Sequence, residues 1–193
     1  MKSIKILQKG NAKLKNMLVY SHSPIKGCLD CESCASSCYA VKSYRQYPNV
    51  KTAWDRNLKL VRDDLTTFKV SIVNQLLKTK EKVVRIHASG DFISQDYIDA
   101  WREIAEAFPE IKFYAYTKSL SRFDYKAIIK LKNVNIIDSF IDGKLNYGDD
   151  AHIADLITNH NAFLCPATVD KTVKCGESCD YCVHSNRVCF RQH

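Results

Sequence analysis

Nine cysteines fall in two groups at opposite ends of the chain. Cys28, Cys31, Cys34 and Cys38 form the first, with gaps of two, two and three residues. Cys165, Cys175, Cys179, Cys182 and Cys189 form the second, and no cysteine lies between residues 38 and 165. Thiolates this close in sequence surround one metal at little loop-closure cost, so each group suits a [4Fe–4S] cluster or a zinc ion. The first group has ferredoxin spacing, in which the fourth cysteine serves a second cluster, so Cys38 is a candidate to reach toward the tail. Its spacing is tighter than that of a zinc ribbon and favours iron–sulfur. In the second group Cys165, Cys175, Cys179 and Cys182 are the first choice of ligands, with Cys189 the alternative fourth. Zinc stands beside iron–sulfur there, and His184 reads as a surface residue. Disulfides are the rival use of many cysteines, but they belong to secreted chains. The opening residues lead into no apolar signal segment, so a cytoplasmic metalloprotein whose two ends meet is expected.

Outside the cysteines, chemistry-bearing residues follow predicted strands. His87 and Arg85 alternate on one strand, expected to share a face and point inward beside Asp91. His87 is then either a site residue or a core histidine satisfied by a carbonyl. Lys118 suits a carboxylate or phosphate, or is a solvated lysine. Tyr114 and Tyr116 share a strand face, where they stack a ligand ring or pack against helices.

The elements that must position these residues alternate strand and helix. Residues 17–21 read as a short strand, and the first cysteines follow it. Residues 51–79 read as two helical segments, with Trp54, Leu58, Val61 and Leu65 on one apolar face. Residues 83–88 form the second strand, bounded by Ser89, Gly90 and Asp91. Ser94 caps a helix whose apolar face is Tyr97, Ile98, Trp101, Ile104, Ala105 and Phe108, and Pro109 ends it. Strands at 112–117 and 134–139, helices at 124–131 and 151–159, and a last short strand at 162–165 complete the pattern.

This order implies parallel strands joined by crossovers. With about five units in 193 residues, an open partial β/α barrel or a parallel sheet is expected rather than a closed barrel. Loops at the strands' carboxyl ends build the site in either. The first cysteine group, Ser89 to Asp91, Lys118, Ser139 and Cys165 all fall at such ends. The chain is expected to be one α/β domain over residues 1–193, with 165–193 a cysteine-rich metal-binding extension.

A hydrophobic fraction of 46% with six glycines and four prolines argues against long disorder. The formal net charge of +8 admits a nucleic-acid or nucleotide partner, and the lysines are spread rather than massed. No apolar run is long enough to span a bilayer, so no membrane partner is expected.

Cys34 to Ala40, Arg85 to Phe92, Tyr114 to Ser119 and Cys165 with Pro166 resemble the phage gene-product-88 family. Through it the chain is distantly similar to the radical S-adenosylmethionine enzymes. Those are partial barrels with a three-cysteine [4Fe–4S] cluster after the first strand and an amine-binding segment after the second. The resemblance implies that Ser89, Gly90 and Asp91 hold the methionyl amine of that cofactor, Asp91 as the ammonium partner. Tyr116 and Ser139 are further cofactor contacts, and His87 and Lys118 join Asp91 as catalytic candidates. It also implies an electron donor. The standard radical loop is Cys-x3-Cys-x2-Cys. That order stands not after the first strand but at Cys175, Cys179 and Cys182, with Tyr181 before the last cysteine. The rival class is a non-catalytic, metal-stabilised nucleic-acid binder; an electron carrier or redox sensor is a third.

Overall fold

The structure is a computed structural model that describes residues 4–29 and 35–191. Cys31 and Cys34 therefore lie outside the described residues. The chain opens with β1 (Gln8–Lys9) and β2 (Leu18–Val19), an antiparallel pair. Three helices follow: α1 (Tyr39–Gln46), α2 (Pro48–Asp63) and α3 (Leu65–Leu76). Asp64 separates the last two, and its side chain accepts the Thr67 N–H at 2.9 Å. Then come β3 (Val83–Ile86), α4 (Gln95–Ala107), β4 (Lys112–Thr117), α5 (Lys126–Ile129) and β5 (Val134–Asp138).

The five strands form one sheet in the order β1-β2-β3-β4-β5, parallel from β2 to β5. It is an open mixed α/β sheet, not a closed barrel. The chain then makes β6 (Phe140–Ile141), β7 (Lys144–Leu145) and β8 (Tyr147–Gly148), followed by α6 (Asp150–His160). It ends with β9 (Phe163–Leu164), α7 (Tyr181–His184) and β10 (Val188–Arg191).

The expected last parallel strand at 162–165 does not join the main sheet. It is β9, and it pairs with β10 in a second sheet ordered β8-β10-β9. The cause is local. Ile141, Ile153, Leu156, Ala162 and Cys189 form a core of their own, which holds β9 away from β5.

The two faces of the main sheet are covered differently. On one, Leu18, Val84, Ile86, Phe113, Ala115 and Ile136 meet the apolar sides of α2 to α5. Ser94 caps α4 as its sequence implies, accepting the Tyr97 N–H. Trp101 of α4 is fully buried, with the Tyr20 and Phe68 rings both 5.5 Å away. On the other face no long helix packs among the described residues. Met17, Val19, Tyr114 and Ile137 are covered by the tail, through Cys175, Cys182 and Val183.

That tail is fastened by backbone. The Cys175 N–H donates to the Lys13 carbonyl at 2.9 Å, and the Lys15 N–H to the Cys175 carbonyl at 2.8 Å. Gly176 turns with φ +79°, and a Cβ there would sit 2.1 Å from the Lys15 carbonyl oxygen. Asn135 of β5 donates to the carbonyls of Cys182 and Ser185, each at 2.9 Å.

Replacing Trp101 with Ala is expected to cost about 3–5 kcal/mol by emptying the centre of the helix-face core. Replacing it with Phe should cost far less. Urea midpoints of the two variants check this.

Candidate functional site

The tail-covered face carries polar groups that an ordinary core would not. Arg85 lies beside Tyr114 in register, and its guanidinium carbon is 5.7 Å from the Tyr116 ring centroid. Its Nε is shut off from solvent without a hydrogen-bond partner, and no carboxylate among the described residues pairs with it. Burial opposes its charge, while Tyr39, Tyr114, Tyr116 and Cys182 around it favour that charge. The Tyr116 hydroxyl donates to the Cys182 sulfur at 2.8 Å. The Tyr114 hydroxyl reaches the Met17 sulfur at 3.6 Å.

Cys165, Cys175, Cys179 and Cys182 gather here. Cys165 lies in the electrostatic field of the other three, Cys182 in that of Cys175 and Cys179, and Cys175 in that of Cys179. Cys175 and Cys179 also face each other across a β-bridge. Burial pushes the Cys165 thiol up to about 11 and raises those of Cys175 and Cys182, so all three are protonated in neutral water. A metal ion would ionise them. In kind and number the donors fit a cluster or a zinc ion. Among the described residues, though, no three His, Cys, Asp or Glu side chains stand close enough to hold a metal, so ligation requires the loop to tighten. Cys189 stands apart, fully buried in the second core.

Cys38, of the first cysteine group, adjoins a residue that reaches the same face. Cys38 caps α1 with its backbone, and the next residue, Tyr39, donates its hydroxyl to the Ala88 carbonyl just past β3. Tyr39 and Cys182 therefore flank one guanidinium, that of Arg85. An open groove of about 680 Å³ lies beside Cys38, bordered by Ile25, Lys42 and Arg45. Ile25 has φ +65°, a left-handed conformation that costs a β-branched residue dearly and marks functional loops.

The loop after β3 corrects one expectation. His87 and Arg85 do not share a face. His87 takes φ +61°, which breaks the strand alternation and turns its ring to the helix side. There its Nε2 is 2.8 Å from the Tyr97 hydroxyl, its Nδ1 has no partner, and its ring lies 5.1 Å from that of His22.

His22 is the residue that sequence reading missed. It is fully buried, with Nε2 3.0 Å from the Asp91 carbonyl. Gly27 and Gly90 wall it in, since a Cβ at either would come within 2.4 Å of its ring. Glycines at both positions were the available signal.

Asp91 is a tie between strands. Its Oδ1 accepts from the Thr117 hydroxyl at 2.6 Å and the Phe92 N–H at 2.7 Å, and its Oδ2 from the Lys118 N–H at 2.8 Å. Its own N–H donates to the Gly27 carbonyl at 2.8 Å, which seats the chain just before Cys28. Burial raises its pKa, opposed by those three bonds. Ser89 bonds the His22 carbonyl. Ser139 is held by backbone bonds to Thr117 and Asn146. The Lys118 ammonium lies 5.5 Å from the Tyr147 ring centroid. Tyr116 faces the cysteine tail, on the side away from Thr117 and Asp91.

The fold and this face define a mixed α/β protein whose parallel sheet is capped by a cysteine-rich tail. It belongs to the family described as Gene product 88, whose profile matches residues 5–166. The matched stretch includes the first cysteine group and Cys165 and stops short of Cys175. The chain is 30% identical over 112 residues to the Gene 88 protein of Mycobacterium phage D29, covering 53% of this chain and 47% of that protein. It is 29% identical over 110 residues to the Gene 88 protein of Mycobacterium phage L5, covering 52% and 46%. The chain thus spans about half the length of the curated relatives it matches. No solved structure matches it. No helix among the described residues is long and apolar enough to cross a membrane.

The buried histidines set a pH dependence. Burial lowers His22 from 6.5 to about 4, and burial together with the charges of His22 and Arg85 lowers His87 well below its usual value. The unfolded chain therefore takes up protons first, and stability falls as pH drops from about 6.5 toward about 4. His22 alone contributes on the order of 3 kcal/mol to this loss. Asp91, raised in the folded state, offsets part of it at the acid end. Urea melts at pH 7 and pH 4.5 should show the loss, and His87→Phe should reduce it.

Proposed function

We propose that this chain is an iron–sulfur protein in which Cys165, Cys175, Cys179 and Cys182 hold a cluster against the Arg85 face of the sheet. The observation that carries this reading is a set of four tail thiols in one another's electrostatic reach, two of them, Cys175 and Cys182, in the field of a guanidinium whose Nε has no partner and which pairs with no carboxylate among the described residues. A thiolate-bound metal carries the negative charge that such a cation lacks. Residues 165–193 then act as a metal-binding extension of the α/β unit. Zinc at the same thiols is the alternative occupant.

The activity we propose is one-electron chemistry of the radical S-adenosylmethionine type, with the first cysteine group holding a second cluster beside the groove at Cys38. Such a cluster supplies an electron to a bound cofactor, and a reductant must recharge it. The open groove leaves room for a ligand beside Cys38, which a closed electron carrier would not need. Lys42 and Arg45 on its rim suit a carboxylate or phosphate. Asp91 plays no ammonium-binding part in this reading, since both of its oxygens are engaged in bonds that hold β3 to β4. It shapes the loop that seats Gly27, next to Cys28.

Anaerobically purified protein is expected to be brown, with iron and acid-labile sulfide in matching amounts and absorption that bleaches with dithionite. Titration calorimetry of the reduced protein should detect S-adenosylmethionine, with slow release of 5′-deoxyadenosine. Colourless protein carrying stoichiometric zinc at both sites would contradict the iron–sulfur reading. Cluster-loaded protein without cofactor binding would remove the radical activity and leave an electron carrier.

A further inference from the structure

We infer that Arg85 and Tyr116 are positioning residues that set the reduction potential of the metal–thiolate group at Cys182, one as its counter-ion and the other as a hydrogen-bond donor to its sulfur. This rests on the cluster reading above. Three observations carry it. Tyr116 already aims its hydroxyl at the Cys182 sulfur, at 2.8 Å. Arg85 lies over the same tyrosine ring and keeps a buried Nε without a partner. Asn135 holds the Cys182 carbonyl at 2.9 Å from the sheet below, so the sulfur is not free to drift from either group.

The arrangement has a defined electrochemical sign. Reduction takes one electron from an external reductant such as dithionite and adds one negative charge to the cluster, with no bond made or broken in the protein. A fixed cation in the field of Cys182 stabilises the reduced form more than the oxidised one. A hydrogen bond to a ligating sulfur acts in the same direction. Both groups therefore raise the potential and make the cluster easier to reduce.

An arginine suits this position better than a titratable cation. It stays charged at every physiological pH, and its flat guanidinium stacks on the tyrosine while leaving N–H edges for sulfur. A cation placed there only for packing would gain nothing from the hydroxyl-to-sulfur bond beside it.

The test uses the full chain, reconstituted anaerobically with iron and sulfide, and reads iron content and the midpoint of a dye-mediated redox titration. In Arg85→Met the reduced-to-oxidised ratio at a fixed potential should fall about tenfold, a midpoint about 59 mV more negative for a one-electron couple. Arg85→Lys keeps the charge and should stay near the native midpoint. Tyr116→Phe removes only the hydroxyl and should shift the midpoint the same way by a smaller amount. Loss of iron from Arg85→Met but not from Arg85→Lys also supports a counter-ion, and Tyr116→Phe then carries the midpoint comparison. Iron-loaded variants whose midpoints all equal that of the native protein would overturn the inference and leave the cluster reading intact. A native chain that takes up no iron would overturn the cluster reading itself.

Discussion

A guanidinium held over a parallel sheet by tyrosine rings and thiols is the constraint on which this structure turns. Arg85 projects from the face of β3 that no long helix covers, and its neighbours are Tyr114, Tyr116, Tyr39 and Cys182. A cation removed from water without an anion is costly, so the segment that covers it must bring negative charge or leave it a path to solvent. Here the cover is the cysteine tail, and the Cys182 sulfur is one of the groups that favour that charge. The tail is pinned at Lys13, Lys15 and Asn135, three points that belong to the sheet or its leading hairpin. Chain start, sheet and chain end thus meet over one side chain.

The opposite face obeys a different rule. It is an aromatic and aliphatic core in which His22 and His87 are kept neutral by burial. Gly27 and Gly90 exist to admit the His22 ring. Asp91 fastens β3 to the end of β4 and, through its N–H, to Gly27. Residues that look catalytic by type are here occupied in building the loop. Their contribution is to seat the chain at Gly27, just before Cys28, beyond the carboxyl end of β2.

Much of the scaffold was legible from pattern. The apolar face of α4, its Ser94 cap, the two helical segments between residues 51 and 79 and the strand at 112–117 follow from local periodicity and capping, which need no partner to be recognised. What failed were features decided by tertiary contacts. The alternation that put His87 beside Arg85 was broken by one residue of positive φ. The strand at 163–164 left the main sheet because Ile141, Ile153 and Leu156 offered it a second core. His22 was invisible because its meaning lies in two glycines, Gly27 five residues on and Gly90 far along the chain. The covering of one sheet face by the tail was expected only as convergence of the two cysteine groups, without Arg85 at its centre.

X-ray absorption of the anaerobically isolated full chain at the iron edge tests the central claim most directly. An all-sulfur first shell with iron–iron scattering, and an iron content that falls without vanishing when Cys175, Cys179 and Cys182 are replaced together by serine while the first group keeps its own cluster, is the expected result for the tail cluster. Absorption at the zinc edge with an all-sulfur shell and no metal–metal scattering, or an iron signal indifferent to those three replacements, would contradict it.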